Sequence, residues 1–186
     1  MGYVGSFWFL SVLGWFLFTI CPVAAAVMSV IAWRRRSRVV TLVAVALLTV
    51  TLLVAAILPD PAPPVVAAIT TLAALVIAVA GGSPAVRLLL DRTTFEEQEG
   101  VHGGIVVNER EVLRGGEVIG LLERLAVAGA IVAGVPEALA VIIAIKGVGR
   151  FTELTEGAAR ERFIVGTLSS WIWAAAAAGL VLLTRA

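Results

Sequence analysis

The 186 residues carry 14 Lys and Arg against 13 Asp and Glu, and the net charge of +1 offers no excess that would point to nucleic acid. Of these residues 60% are hydrophobic and 15% charged, whereas soluble domains run about 45–50% apolar and about 25% charged. With a mean hydropathy of +1.04 the composition excludes an ordinary soluble domain. One cysteine, Cys21, excludes an internal disulfide or a thiolate cluster, and one histidine, His102, excludes a two-histidine zinc site and argues against a Ser-His-Asp triad. No metal and no cofactor is therefore expected.

At about 20 apolar residues per crossing, the chain predicts an all-α membrane protein, a bundle of about five helices over 6–33, 39–58, 64–80, 117–146 and 163–184. Backbone N–H and C=O groups in hydrocarbon must be satisfied internally, so Val- and Thr-rich runs of this length read as helices rather than strands. The first run has no basic segment ahead of it and no small-residue cleavage site, so it is not read as a cleavable signal peptide. Pro22 predicts a kink within it. It ends at Trp33 and the cluster Arg34, Arg35, Arg36 and Arg38, which anchors topology: Lys and Arg stay on the cytoplasmic side of short loops. That puts the N-terminus outside and, after five crossings, the C-terminus in the cytoplasm. The same cluster is suited to an anionic lipid.

The prolines between Asp60 and Pro64 predict a tight turn. Gly81-Gly82-Ser83-Pro84 is read as the end of the third helix, and 91–116 as a polar cytoplasmic loop. These boundaries divide the chain into three helices over 1–90, the loop, and two helices over 117–186.

The fourth run carries charges where an apolar span should not, Glu123, Arg124, Glu137 and Lys146, and such groups usually face a bundle interior or a water-filled path. On a helical wheel Glu137 falls on a stripe of small residues, Ala126, Ala130, Ala133, Ala140 and Ala144. Small stripes let membrane helices approach closely, so Glu137 is expected to point inward. Five crossings place the loop at 147–162 outside, yet its basic residues argue for inside. A re-entrant pair of half-helices broken near Gly134-Val135-Pro136 would remove that conflict. In the fifth run Gly166, Thr167, Ser169 and Ser170 suggest close helix contact, and Trp171 and Trp173 lie deep enough to pack within the bundle.

The segments Gly116-x-x-Ile119-Gly120-x-Leu122-Glu123-Arg124, Ala144-x-Lys146-x-x-x-Arg150-Phe151 and Glu161 followed by Ile164-x-Gly166-Thr167-Leu168-x-Ser170 resemble a family of bacterial polytopic membrane proteins of unknown function. The resemblance covers the C-terminal third and departs from the family pattern at Gly147 and at Arg162-Phe163. It implies that Glu123, Arg124, Lys146, Arg150 and Glu161 form one charged constellation in a multi-pass protein of the cell (inner) membrane. It implies no activity.

Three functions fit these features. The first is a non-catalytic accessory or assembly subunit, partnered by the lipid bilayer and by another protein or further copies of itself. The second is a small transporter or channel component using an interior Glu137. The third is a membrane-embedded enzyme acting on lipid, with Arg and Lys clamping a phosphate and a Glu as base. The first is preferred, because no nucleophile sits beside a base and no metal-ligand spacing occurs.

Overall fold

The structure, a computed structural model, describes residues 14–58, 61–93, 116–149 and 157–185. Among the described residues the helices run in order α1 Ile20–Arg35, α2 Arg38–Ile57, α3 Pro64–Thr93, α4 Gly116–Val132, α5 Ala138–Gly149 and α6 Gly157–Arg185. The described residues contain no strand. Four stretches are long and apolar enough to cross a membrane: Gly14–Arg35, Arg38–Ile57, Pro64–Asp91 and Phe163–Arg185.

Local chemistry sets these boundaries. Pro22 has no N–H for the carbonyl of Phe18, and the helical turn from Gly14 is interrupted at Thr19 before α1 begins. The Thr19 hydroxyl donates to the carbonyls of Trp15 at 3.0 Å and Phe16 at 2.6 Å. α1 stops at Arg36, which takes the left-handed conformation with φ 50° and donates its N–H to Ala32 O at 3.0 Å. The chain then turns through Ser37 straight into α2. Within α2, Thr41, Thr49 and Thr51 donate to carbonyls one turn back at 2.9, 2.9 and 2.6 Å. Hydroxyls satisfied on their own helix cost little in an apolar surround.

Contacts between ends fix the threading. At the arginine-rich end Arg38 pairs with Asp91 at 3.1 Å, joining α2 to α3. There Trp33 also donates to Glu117 at 2.7 Å, joining α1 to α4. At the opposite end the N–H of Ala62 donates to Thr184 O at 3.0 Å. Trp15, Phe18, Ala55, Val66 and Leu180 pack into one apolar cluster there. α3 is the central helix, with its broadest contacts to α6 and then α1. The main core gathers Ala25, Leu48, Ile77, Ala78, Val127, Ala128, Trp173, Ala174 and Ala177.

Several expectations are corrected. α3 does not end at the Gly-Gly-Ser-Pro segment but runs through it to Thr93, so the polar loop cannot begin at position 91. The fourth run is not one helix. It is a hairpin of 17 and 12 residues, α4 and α5, joined by a turn over 133–137. Gly134 has φ +74°, its N–H donates to Ile131 O at 3.1 Å, and Val135 N–H donates to Ala130 O at 2.9 Å. This is the Schellman stop, with a proline directly after it. The hairpin leaves the arginine end and returns to it, and Gly14 and Arg185 lie at the same end of the described helices.

The alanine stripe is not the packed face of α4 either: Ala126 and Ala133 are exposed, while Arg124, Val127 and Ala128 are buried. The guanidinium sets that rotation. Turning the alanines inward would swing Arg124 toward lipid, where a charge is far more costly than an exposed Ala.

Candidate functional site

Among the described residues Arg124 is the one charged side chain that is buried, 3% exposed. Its Nε donates to the carbonyl of Val79 at 2.9 Å, Nη2 to Ser83 at 2.8 Å and Nη1 to Ser170 at 3.3 Å. One side chain from α4 thus ties α3 to α6. The space is provided by Gly82, where any β-carbon would overlap the Arg124 side chain. One residue earlier, a β-carbon on Gly81 would lie 2.5 Å from the Trp173 ring. The indole N–H of Trp173 donates to Ile77 O at 2.9 Å. The Gly-Gly pair is therefore where α3 receives an arginine and a tryptophan from two neighbours.

Beside Arg124, Glu123 pairs with Lys146 across the hairpin, and the two side chains are 13% and 19% exposed. The Lys146 ammonium also lies 5.5 Å from the centre of the Phe163 ring on α6. These groups border a cavity of about 420 Å³ between α3, α4 and α6, also lined by Ser83, Arg87, Glu117 and Thr167. A second cavity of about 430 Å³ lies between α4 and α5, lined by Leu122, Ala126, Ile142 and Ile145. The two share Ile119, Glu123 and Lys146 as a common border. A cavity bordered by several charged side chains therefore adjoins a more apolar one.

Of the residues expected to form a constellation, Glu123, Arg124 and Lys146 come together. Arg150 lies outside the described residues, and Glu161 is described only as part of the α6 backbone. Glu137 does not point into the bundle. It is exposed in the turn between α4 and α5, because the helix that would have carried it inward has already ended at Val132. Arg34, Arg35, Arg36 and Arg38 are exposed around the α1–α2 turn. Among the described residues no group of three or more His, Cys, Asp or Glu could hold a metal.

Sequence reasoning missed Arg87, Ser83, Ser170 and Glu117. Arg87 had a readable signal, a lone cation in the otherwise apolar stretch 85–90. Ser83 had none, since single hydroxyls are common in membrane helices; Ser170 was readable as part of a close-contact face of the fifth run, but its bond to Arg124 was not.

The chain is all-helical across its described residues, with four helices of the length and apolarity of an integral membrane protein. Comparison with protein-family models, with characterised proteins and with solved structures finds no match to it.

Proposed function

We propose that this chain is a multi-pass protein of the bacterial inner membrane acting as a non-catalytic accessory or assembly subunit, with the α4–α5 hairpin as the element that meets its partner. The observation carrying this reading is how loosely the hairpin's outer arm is attached. α5 packs on α4 alone among the major helix pairs, and Val141, Ile143 and Ile145 are 59%, 51% and 69% exposed. At 12 residues, α5 rises about 18 Å, too short to cross a bilayer alone. The interior charges serve as connectors, Arg124 between helices and Glu123 with Lys146 across the hairpin. The motif resemblance in the C-terminal third supports membership of the bacterial polytopic family.

A photo-crosslinking residue at Ile145, in membranes of cells expressing the full chain, tests the reading. One discrete adduct with a second polypeptide, or with a further copy, is expected. Adducts with lipid alone overturn it.

For orientation, the positive-inside rule applied to the arginine turn puts that end in the cytoplasm and the Gly14 and Arg185 ends outside. In a Cys21→Ser background, a cysteine at Arg185 should react with an impermeant maleimide in intact cells and one at Ser37 should not. The opposite pattern reverses the orientation.

The convergence of Glu123, Arg124 and Lys146 on one cavity favours a second reading, a membrane-embedded enzyme acting on lipid. That reading requires lipid turnover by the purified chain that Glu123→Gln abolishes. With Glu137 in an exposed turn, no observation favours the transporter.

A further inference from the structure

The chamber beside Arg124 holds more positive charge than its own carboxylates answer. Arg87, Arg124 and Lys146 line it with Glu117 and Glu123. Lys146 is matched by Glu123, and counting Glu117, whose carboxylate accepts a hydrogen bond from Trp33 at 2.7 Å, three cations still face two carboxylates. The three hydrogen bonds of Arg124 all end on neutral oxygens. Arg87 lies four residues after Ser83, one turn along the same face of α3. Arg87 is half-buried, and its Nη2 is buried with no hydrogen-bond partner among the described residues. An unmet buried donor on a charged group is costly, and a buried positive charge is normally matched by an anion.

The remaining lining fits one kind of anion. Ser83, Thr167 and Ser170 supply hydroxyls beside the two guanidiniums. Planar forks of N–H donors with added O–H donors suit the several oxygens of a tetrahedral oxyanion. The chamber adjoins the apolar cavity between α4 and α5 across Ile119, Glu123 and Lys146, so an apolar chain attached to that anion has a place to lie.

We propose that this chamber binds a phosphate group, with Arg87 and Arg124 as its cationic partners and the adjoining apolar cavity taking the chain of a phosphate-bearing amphiphile. Arg87 also borders a smaller pocket of about 90 Å³ with Arg36, Arg38 and Asp91, whereas Arg34 lines neither pocket.

The test uses the full chain in mild detergent, by native mass spectrometry with added dioleoyl phosphatidylglycerol or dioleoylglycerol, which has the same chains and no phosphate. One phosphatidylglycerol per chain is expected to persist under activation that strips dioleoylglycerol. Arg87→Gln should lower that occupancy about tenfold, the equivalent of one charged hydrogen bond. Because Arg87 makes none of the hydrogen bonds that join the helices among the described residues, its variant should keep the wild-type thermal melt. Arg34→Gln, at the surface turn, should leave occupancy unchanged. Equal retention of the two lipids overturns the proposal, as does loss of phosphatidylglycerol in Arg34→Gln but not in Arg87→Gln. Millimolar inorganic phosphate separates the sources. If it displaces the lipid and raises the melt of wild type but not of Arg87→Gln, the site takes free phosphate. If it does neither while the lipid stays bound, the site takes a lipid headgroup.

Discussion

Two segments of this chain place glycine shortly before proline inside an apolar run, and they do opposite things. Gly81-Gly82-Ser83-Pro84 stays helical within α3. Gly134-Val135-Pro136 ends α4 and reverses the chain. At 81 and 82 glycine provides room: the ring of Trp173 and the side chain of Arg124 occupy the space of the missing β-carbons. At 134 it provides conformation, since nothing lies within 4 Å of the β-carbon position and φ is +74°. Proline follows the same division. Pro84 removes one donor from a helix held on several sides by neighbours, whereas Pro136 comes after the helix has already stopped. A breaker in the sequence is thus only a permission, and the packing around it decides whether the helix ends.

The difference can be broken hardest at Gly82. Gly82→Leu fills the space of the Arg124 side chain and drives the guanidinium off Val79, Ser83 and Ser170. Breaking a buried charged network costs about 3–5 kcal/mol, so the variant should lose most of its thermal stability in detergent or fail to accumulate. A melt within a few degrees of wild type would mean that Arg124 does not hold α3 to α6. Gly81→Ala comes next. One methyl against a rigid indole costs about 1–3 kcal/mol through overpacking, and the shift should be visible in Trp fluorescence because the Trp173 N–H would leave Ile77 O.

Gly134→Ala should cost less, about 1–2 kcal/mol, the price of a left-handed conformation for a residue with a β-carbon. Its effect should be local. The distance between spin labels at Ala126 and Ile145 should broaden as the turn loosens, while the Trp173 signal stays constant. If Gly81→Ala and Gly134→Ala gave the same pattern, the separation of room from conformation would be lost.

These two segments also mark how far the sequence could be read. The membrane-spanning stretches were legible because apolar length alone defines them: α2 and the start of α3 fall close to the expected 39–58 and 64–80, while the expected 6–33 run begins outside the described residues and α1 ends at Arg35. Trp33 with its arginines, and the close approach of the Gly166–Ser170 stretch to α3, were legible for similar reasons. Helix ends depend on partners far away in the chain, and Gly82 could not be recognised as a socket before Arg124 was known to lie opposite. The wheel for the fourth run assumed one unbroken helix, so the stop at Gly134 displaced everything beyond it, Glu137 above all. Glu123 and Lys146, 23 residues apart, meet only because of that stop. Of the expected constellation, the part on α4 was read directly and its pairing required the hairpin.

The smallest expected effect is the most discriminating between glycine and proline as the cause of the turn. Pro136 sits outside both helices, and the hydrogen bonds that close the turn use the N–H groups of Gly134 and Val135, with Pro136 contributing only its carbonyl, to Leu139 N–H at 3.0 Å. Replacing it with alanine leaves every one of those bonds possible. What is lost is the restriction that proline imposes on the unfolded chain, about 0.4–1 kcal/mol. Pro136→Ala should therefore lower the melt slightly and leave the Ala126–Ile145 label distance narrow. If α4 instead ran on through position 136, residue 145 would move away from 126 toward the far end of a continuous rod, at about 1.5 Å per residue. A lengthened distance in this variant alone, with Gly134 intact, would assign the stop to proline and remove glycine's conformation from the account.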